Sequence, residues 1–206
     1  MTVRENGPFD ESEADLSIEG RIDFGGLMLQ VPAGVEIQVQ ADQASGRITQ
    51  LTLKDGNSGM QIHPYAARKS GGMWEEVRAQ IKSSVNASGG LVEEVSGPWG
   101  IELNAQVKTS ESETAMQPAR FVGIDGPRWF LRAVFLGQAA RDTQAAARLN
   151  ECLKSAVVVR GVGAMAPGTP LVLRLPQQAS SDESETQNRS SLPNPFVRGP
   201  EITETR

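Results

Sequence analysis

The sequence predicts an α+β fold in which an antiparallel β-sheet is flanked by two main helices, with disordered polar tails at both ends. Three observations predict it: short alternating segments outnumber helical ones, no regular strand–helix–strand alternation runs through the chain, and charge is placed unevenly. Residues 1–19 hold six acidic side chains against Arg4 alone, and residues 177–206 are rich in Ser, Gln, Glu and Thr with scattered prolines and no period. Segments of that composition bury too little apolar surface to offset their ordering entropy. The two tails carry 4 basic and 11 acidic residues, which leaves 16 basic and 14 acidic ones in the single domain expected over 20–176. The net charge of −5 therefore belongs to the tails and not to the fold.

Within the domain the apolar period changes in order. Leu27–Val31, Val35–Val39, Ile48–Leu53 and Gly59–His63 are short, mostly alternating segments, separated by Pro32-Ala-Gly34, the stretch Asp42 to Gly46 and the Asp55-Gly56-Asn57 turn. They read as an antiparallel meander. Gly72 to Val85 switches to helical spacing, with Trp74, Val77, Ile81 and Val85 on one stripe, and Ser88-Gly89-Gly90 ends it. Leu91–Val95, Gly100–Lys108, Ala119–Ile124 and Trp129–Leu136 repeat the strand pattern, the last two joined through Asp125-Gly126-Pro127. Asp142 is placed to cap a second helix running through Lys154, with Ala145, Ala146, Leu149, Cys152, Leu153 and Ala156 inward. Val157–Val159 and Leu171–Leu175 follow as short strands. The segment Trp129–Leu136 is apolar on both faces, which fits a central strand covered on each side. Arg132 then lies on a largely apolar face and needs a carboxylate or an exit to solvent.

Several chemistries are excluded by composition. One cysteine, Cys152, allows no internal disulfide, and one histidine, His63, allows no conventional multi-His or Cys/His cluster, so neither a metal centre nor a cofactor is expected. Gly161-Val-Gly-Ala-Met-Ala166 matches the dinucleotide-binding turn, but Pro167, Gly168 and Pro170 follow where that motif needs a helix. The chain has no phosphate-loop lysine motif and no nucleophile elbow. It also has no apolar run of membrane-spanning length, and its acidic first residues do not resemble a signal peptide, so a cytoplasmic protein without membrane insertion is expected.

The residues singled out as candidate binding groups are Asp125, Arg128, Trp129, Arg132 and His63, and no catalytic set is expected. Arginine beside tryptophan is the composition of an interface hot spot or a phosphate site. Residues 120–174 carry eight basic and three acidic side chains, enough to form a basic face. A domain at net +2 is still far from a nucleic-acid footprint. The reading is a non-catalytic protein-interaction or accessory module whose partner is another protein. The alternative is a small-molecule or phosphate-ligand binder, or an enzyme of unrecognised type, using Arg128, Arg132 and His63. The sequence carries no signal of oligomeric state.

Gly7-Pro-Phe-Asp10, Asp23-Phe-Gly-Gly-Leu27, Gly123-Ile-Asp-Gly-Pro-Arg-Trp-Phe-Leu-Arg132, Val157-Val-Val-Arg-Gly161 and the Leu175-Pro176 ending resemble the bacterial "domain of unknown function 3710" family over most of residues 7–176. That resemblance implies no catalytic residue. More loosely, the element order, the helix carrying Trp74 and the Gly-Pro-Arg-Trp hairpin are similar to the Mog1/PsbP-like sandwich. That resemblance implies an antiparallel sheet flanked by helices and a non-enzymatic binding or assembly role.

Overall fold

A strand apolar on both faces belongs in the middle of a sheet, and in Trp129–Gly137 the Trp129, Leu131, Ala133 and Phe135 face is fully buried while the other is buried at Phe130 and Val134 and half-buried at Arg132 and Leu136. The computed structural model describes residues 7–15, 19–45, 47–109 and 112–176. Its elements are β1 (Phe9–Asp10), β2 (Arg21–Asp23), β3 (Leu27–Gln30), β4 (Glu36–Ala41), β5 (Arg47–Asp55), β6 (Ser58–Ala66), α1 (Met73–Ala87), β7 (Leu91–Gly97), β8 (Gly100–Thr109), β9 (Ser112–Gly126), β10 (Trp129–Gly137), α2 (Ala147–Ser155), β11 (Val157–Val158) and β12 (Leu173–Arg174). Among the described residues the main sheet has the order β12-β5-β6-β10-β9-β8-β7, with β4 also paired to β5, and every pairing in it is antiparallel. β10 lies between β6 and β9, the central position its composition demands.

On one face, Trp129, Leu131, Ala133 and Phe135 join Met60, Ile62, Leu51, Leu53 and Val122 in the main core. Leu149, Cys152 and Leu153 of α2 and Leu27, Leu29 and Val158 of the second sheet close over them. Each fully buried large side chain there contributes about 1.5–3 kcal/mol. On the other face, Phe130 and Leu103 lie with Trp74 of α1, the indole stacking on Phe130 at 6.2 Å and donating its N–H to the Ile101 carbonyl at 2.6 Å. Helix α1 packs chiefly on β7, β8 and β9, with Trp74 on Phe130 of β10. On the β4–β5–β6 side, Gln38, Gln50, Gln61 and His63 line hollows.

The structure differs from the sequence reading in three places. The first alternating segment, β3, joins a separate four-stranded sheet of order β1-β11-β3-β2, in which β1 and β11 run parallel. Part of the acidic N-terminal segment is built into the fold: the Phe9 amide bonds to the Ala156 carbonyl at 2.8 Å, the Glu11 amide to the Val158 carbonyl at 3.1 Å, and the Asp10 carboxylate accepts the Trp129 indole N–H at 2.9 Å. A two-residue strand leaves no mark on composition averaged over 19 residues. Residues 1–6, 16–18 and 177–206, the remainder of the two expected tails, lie outside the described residues. Finally, α2 begins at Ala147 instead of just after Asp142, whose carboxylate supports a preceding turn by accepting the Gln144 amide at 2.8 Å.

The β5–β6 ladder runs from Asp55↔Ser58 to Leu51↔Ile62 and stops there. Its cause is local. In a strand the N–H and C=O of one residue point the same way, and the Pro64 carbonyl points away from β10, where it accepts the Leu171 amide at 2.9 Å. Pro64 has no N–H to offer β5 on that side, so the ladder cannot continue. Residues 168–174 fill the resulting fork. Their first part bonds β6 through Ala66, and their second pairs with β5 as Leu173↔Ile48 and Arg174↔Arg47.

Candidate functional site

The five residues singled out in the sequence divide between two places. Three of them belong to the β9–β10 hairpin. Asp125 reaches across to the N-terminus of α1, where its two carboxylate oxygens accept the Met73 and Trp74 amides at 3.1 and 3.3 Å. Gly72 precedes that helix and has no side chain to cap it, so a carboxylate from the neighbouring strand satisfies amides at the positive end of the helix dipole. Trp129 is fully buried in the main core and presents no surface to a partner. Arg128 is exposed in the two-residue turn and has φ 63°, in the left-handed region that favours glycine. Proline followed by a residue of positive φ is type II turn chemistry, with arginine where glycine is the usual choice. Arg128→Gly is therefore expected to raise stability by up to about 1 kcal/mol in thermal melts.

His63 and Arg132 do come together. They are cross-strand partners on β6 and β10 and project from the same face as Tyr65. The Arg132 guanidinium lies 5.3 Å from the centre of the Tyr65 ring, and the His63 and Tyr65 rings are 5.1 Å apart. These side chains line a cleft of about 520 Å³ at the β5–β6 fork, whose walls include Arg47, Gln50, Gln61, Thr169, Leu171 and Val134. No carboxylate lines it. Arg47 and Arg132 form no ion pair among the described residues. The carboxylate or solvent exit that Arg132 requires is thus met by half-exposure and an aromatic face.

Two neighbouring hollows share lining residues with the cleft. One shares Gln50 and Gln61 with it and runs under Gln38, Gln40, Thr52 and Lys54; the other shares Tyr65 and Arg132 and runs to Met73 and Val77 on α1, beside the Arg68–Glu76 ion pair. Through the residues they share, the three make up a trough on this face of the sheet, walled at one end by α1. It is rich in glutamines, which can donate and accept, and carries positive charge at its centre.

Burial pushes the His63 imidazole below its ordinary value of 6.5, the Arg132 charge pushes it further down, and a hydrogen bond to the Leu171 backbone partly opposes both. The imidazole Nε2 is buried with no hydrogen-bond partner among the described residues. The unfolded chain therefore binds a proton at a higher pH than the folded one. The stabilisation due to neutral His63 is fully present above 6.5 and is lost as pH falls from there through the lowered value. Melting temperature is expected to fall over that window, and His63→Gln to flatten the fall.

Sequence reasoning missed Tyr65, Arg47 and Gln61. Alternation alone places Gln61, His63 and Tyr65 on one face, but the arrival of residues 168–174 beside them is a pairing across about a hundred residues. It also missed a buried ion pair on the opposite face, Arg120 to Glu102 at 3.0 Å. Among the described residues, no three His, Cys, Asp or Glu side chains come together as a metal site requires, and no helix is long and apolar enough to cross a membrane. Cys152 lies in the core, where burial pushes its thiol up to about 11, so it is no nucleophile at neutral pH.

Among solved structures the chain is similar to a crystal structure from Bacteroides thetaiotaomicron VPI-5482, with 11% identity and a TM-score of 0.39 over 69% of this chain and 49% of that one. This chain thus spans about half the length of that protein. It is also similar to the solution structure of cyanobacterial PsbP (CyanoP) from Synechocystis sp. PCC 6803, with 12% identity and a TM-score of 0.38 over 71% of this chain and 96% of that one. No curated protein matches its sequence. The family model described as "Protein of unknown function (DUF3710)" matches residues 7–182, a span that takes in β1, the trough and the fork, and the chain belongs to that family.

Proposed function

We propose that this domain is a non-catalytic binding module that holds an extended, acidic segment of a partner protein along the trough, with its carboxylates at Arg132 and Arg47. The observation that carries this reading is the cleft at the fork, where two arginines and a histidine stand on a partly apolar floor with no carboxylate among them. An anion supplies the missing counter-charge and favours protonated His63, and the glutamines on either side suit the amides and carbonyls of an extended backbone.

The test is fluorescence anisotropy of a labelled ten-residue Asp/Glu/Ser peptide against its Asn/Gln counterpart. The acidic peptide is expected to bind more tightly, to weaken with salt, to bind better as pH falls below 6.5, and to lose about tenfold or more with Arg132→Gln, the loss of one charge-assisted contact. Equal binding of the neutral peptide sinks the proposal. A second reading, a small phosphate- or carboxylate-bearing ligand, draws support from the cleft volume of about 520 Å³, which lies within the range of small-molecule sites. Inorganic phosphate that displaces the peptide at sub-millimolar concentration favours it.

A further inference from the structure

We propose that β4, an edge strand of the main sheet, pairs with β4 of a second copy of this chain, running antiparallel about a two-fold axis at Gln38. The proposal is independent of what fills the cleft.

Three observations carry it. The first is the direction of the backbone groups. The Gly56-Asn57 turn closes on Asp55↔Ser58, so Asp55, Leu53 and Leu51 turn their N–H and C=O towards β6, and Lys54, Thr52 and Gln50 turn theirs towards β4. Those three are paired with Glu36, Gln38 and Gln40. The Asp42 amide continues on the same side, donating to the Arg47 carbonyl at 2.9 Å. The N–H and C=O of Ile37 and Val39 therefore point out of the sheet edge, and among the described residues nothing pairs with them. A row of such groups is a template for another strand.

The second is self-complementarity. With Gln38 opposite Gln38, Ile37 of each copy faces Val39 of the other, and each of these pairs exchanges both of its N–H···O bonds. Ile37 and Val39 are half-buried at the margin of the main core, so each covers apolar surface that the other leaves open. Glu36, the only charged side chain in β4, faces Gln40. Moving the axis to Val39 sets Glu36 against Asp42 and opposes like charges. The third is the contrast with the other end of the sheet. There β7 carries Glu93 and Glu94 at its middle, with Glu94 already held by Arg78 and Lys82 at 3.2 and 3.0 Å. Acidic pairs of that kind keep an edge from pairing with its own copy. β4 has no lysine and no proline, and its bulge lies at the far end, after Gln40.

The pairing is isologous and closes on itself, so it gives a dimer and not a fibre. The axis stands perpendicular to the sheet, both copies present their glutamine face on the same side, and the hollows lined by Gln38 and Gln40 meet across it. A strand of 6 residues makes a small interface, so the association belongs to the weak class, at about 50–500 µM.

Sedimentation equilibrium of the full chain from about 10 to 500 µM is expected to show the mass rising from monomer towards dimer. Over the same range the Ile37 and Val39 amides are expected to shift in NMR and to exchange more slowly with solvent, while the Gln38 amide, already bonded to β5, keeps its rate. Gln38→Glu and Gln38→Lys each change one exposed side chain and place like charges at the axis. At low salt each is expected to weaken association by about tenfold or more, and added salt to restore part of it. An equal mixture of the two variants is expected to associate at least as tightly as the natural chain, since Gln38 meets itself only in this register. A monomer throughout the range overturns the proposal, as does association that both variants leave unchanged. Protection of Ile37 and Val39 by the acidic ten-residue peptide, without self-association, gives the edge to a partner's segment and overturns it as well.

Discussion

Glu102→Ala is expected to destabilise the domain by about 3–5 kcal/mol, because it leaves the Arg120 guanidinium charged and buried with its partner removed. Glu102 is 1% exposed and Arg120 7%. The pair is tightly satisfied: Arg120 also donates to the Ala139 carbonyl at 3.3 Å and lies 4.2 Å over the Phe135 ring, and the second Glu102 oxygen accepts the Trp99 amide at 3.0 Å. At a few degrees per kcal/mol for a domain of this size, the melting temperature should drop by roughly 10 °C or more. Replacing both members with apolar side chains, Glu102→Leu with Arg120→Met, is expected to restore most of the loss, since the cost lies in the orphaned charge and not in the missing attraction. A single substitution costing under about 1 kcal/mol in denaturant titration would mean that water reaches the pair.

Gly123→Ala is the second large effect expected. Gly123 lies beneath the indole of α1, and a methyl group there would stand 2.2 Å from Trp74 Cε3, 2.3 Å from Trp74 Cδ2 and 2.8 Å from Phe130 Cε2. All three are ring atoms of packed side chains, so the helix must lift or the indole must turn, at a cost of about 1–3 kcal/mol. Either movement breaks the bond from the indole to the Ile101 carbonyl. Near-ultraviolet circular dichroism and chemical unfolding should both register the change. In a Trp74→Leu background the same substitution should cost less, the coupling expected of two groups competing for one space. Equal cost in both backgrounds would separate Gly123 from the helix contact.

Most of the order of elements along the chain was legible because each element has its own period: the switch from alternation to helical spacing at Gly72, and the double apolar face of Trp129–Leu136, both follow from which side chains must be buried. The site was only half legible. His63 and Arg132 are conspicuous as the lone histidine and as a charge on an apolar face, but nothing local says that β6 and β10 place them opposite each other. Trp129 drew attention by standing next to Arg128, yet successive strand residues point to opposite faces, and an arginine in a turn does not bring its neighbour to the surface. Alternation misleads in β8, where Ile101 is 45% exposed and Glu102 is buried. The residue pattern there fits either face, and only the position of Arg120 on the next strand decides it. Asp10, read as one more charge in an acidic tail, is the acceptor for the Trp129 indole. Pro64 is the clearest signal left unread, since a proline in the middle of an apolar alternating segment already implies that one neighbouring strand must part from it.

The most direct measurement of the central claim is a map of backbone amide shifts on adding the acidic ten-residue peptide to the full chain. Binding in the trough requires the changes to concentrate at Arg47, Gln61, His63, Tyr65, Arg132 and the segment 169–172, and to fade with Arg132→Gln. Changes concentrated instead at Gly126, Arg128 and Trp129 would contradict it and place the binding surface on the hairpin turn.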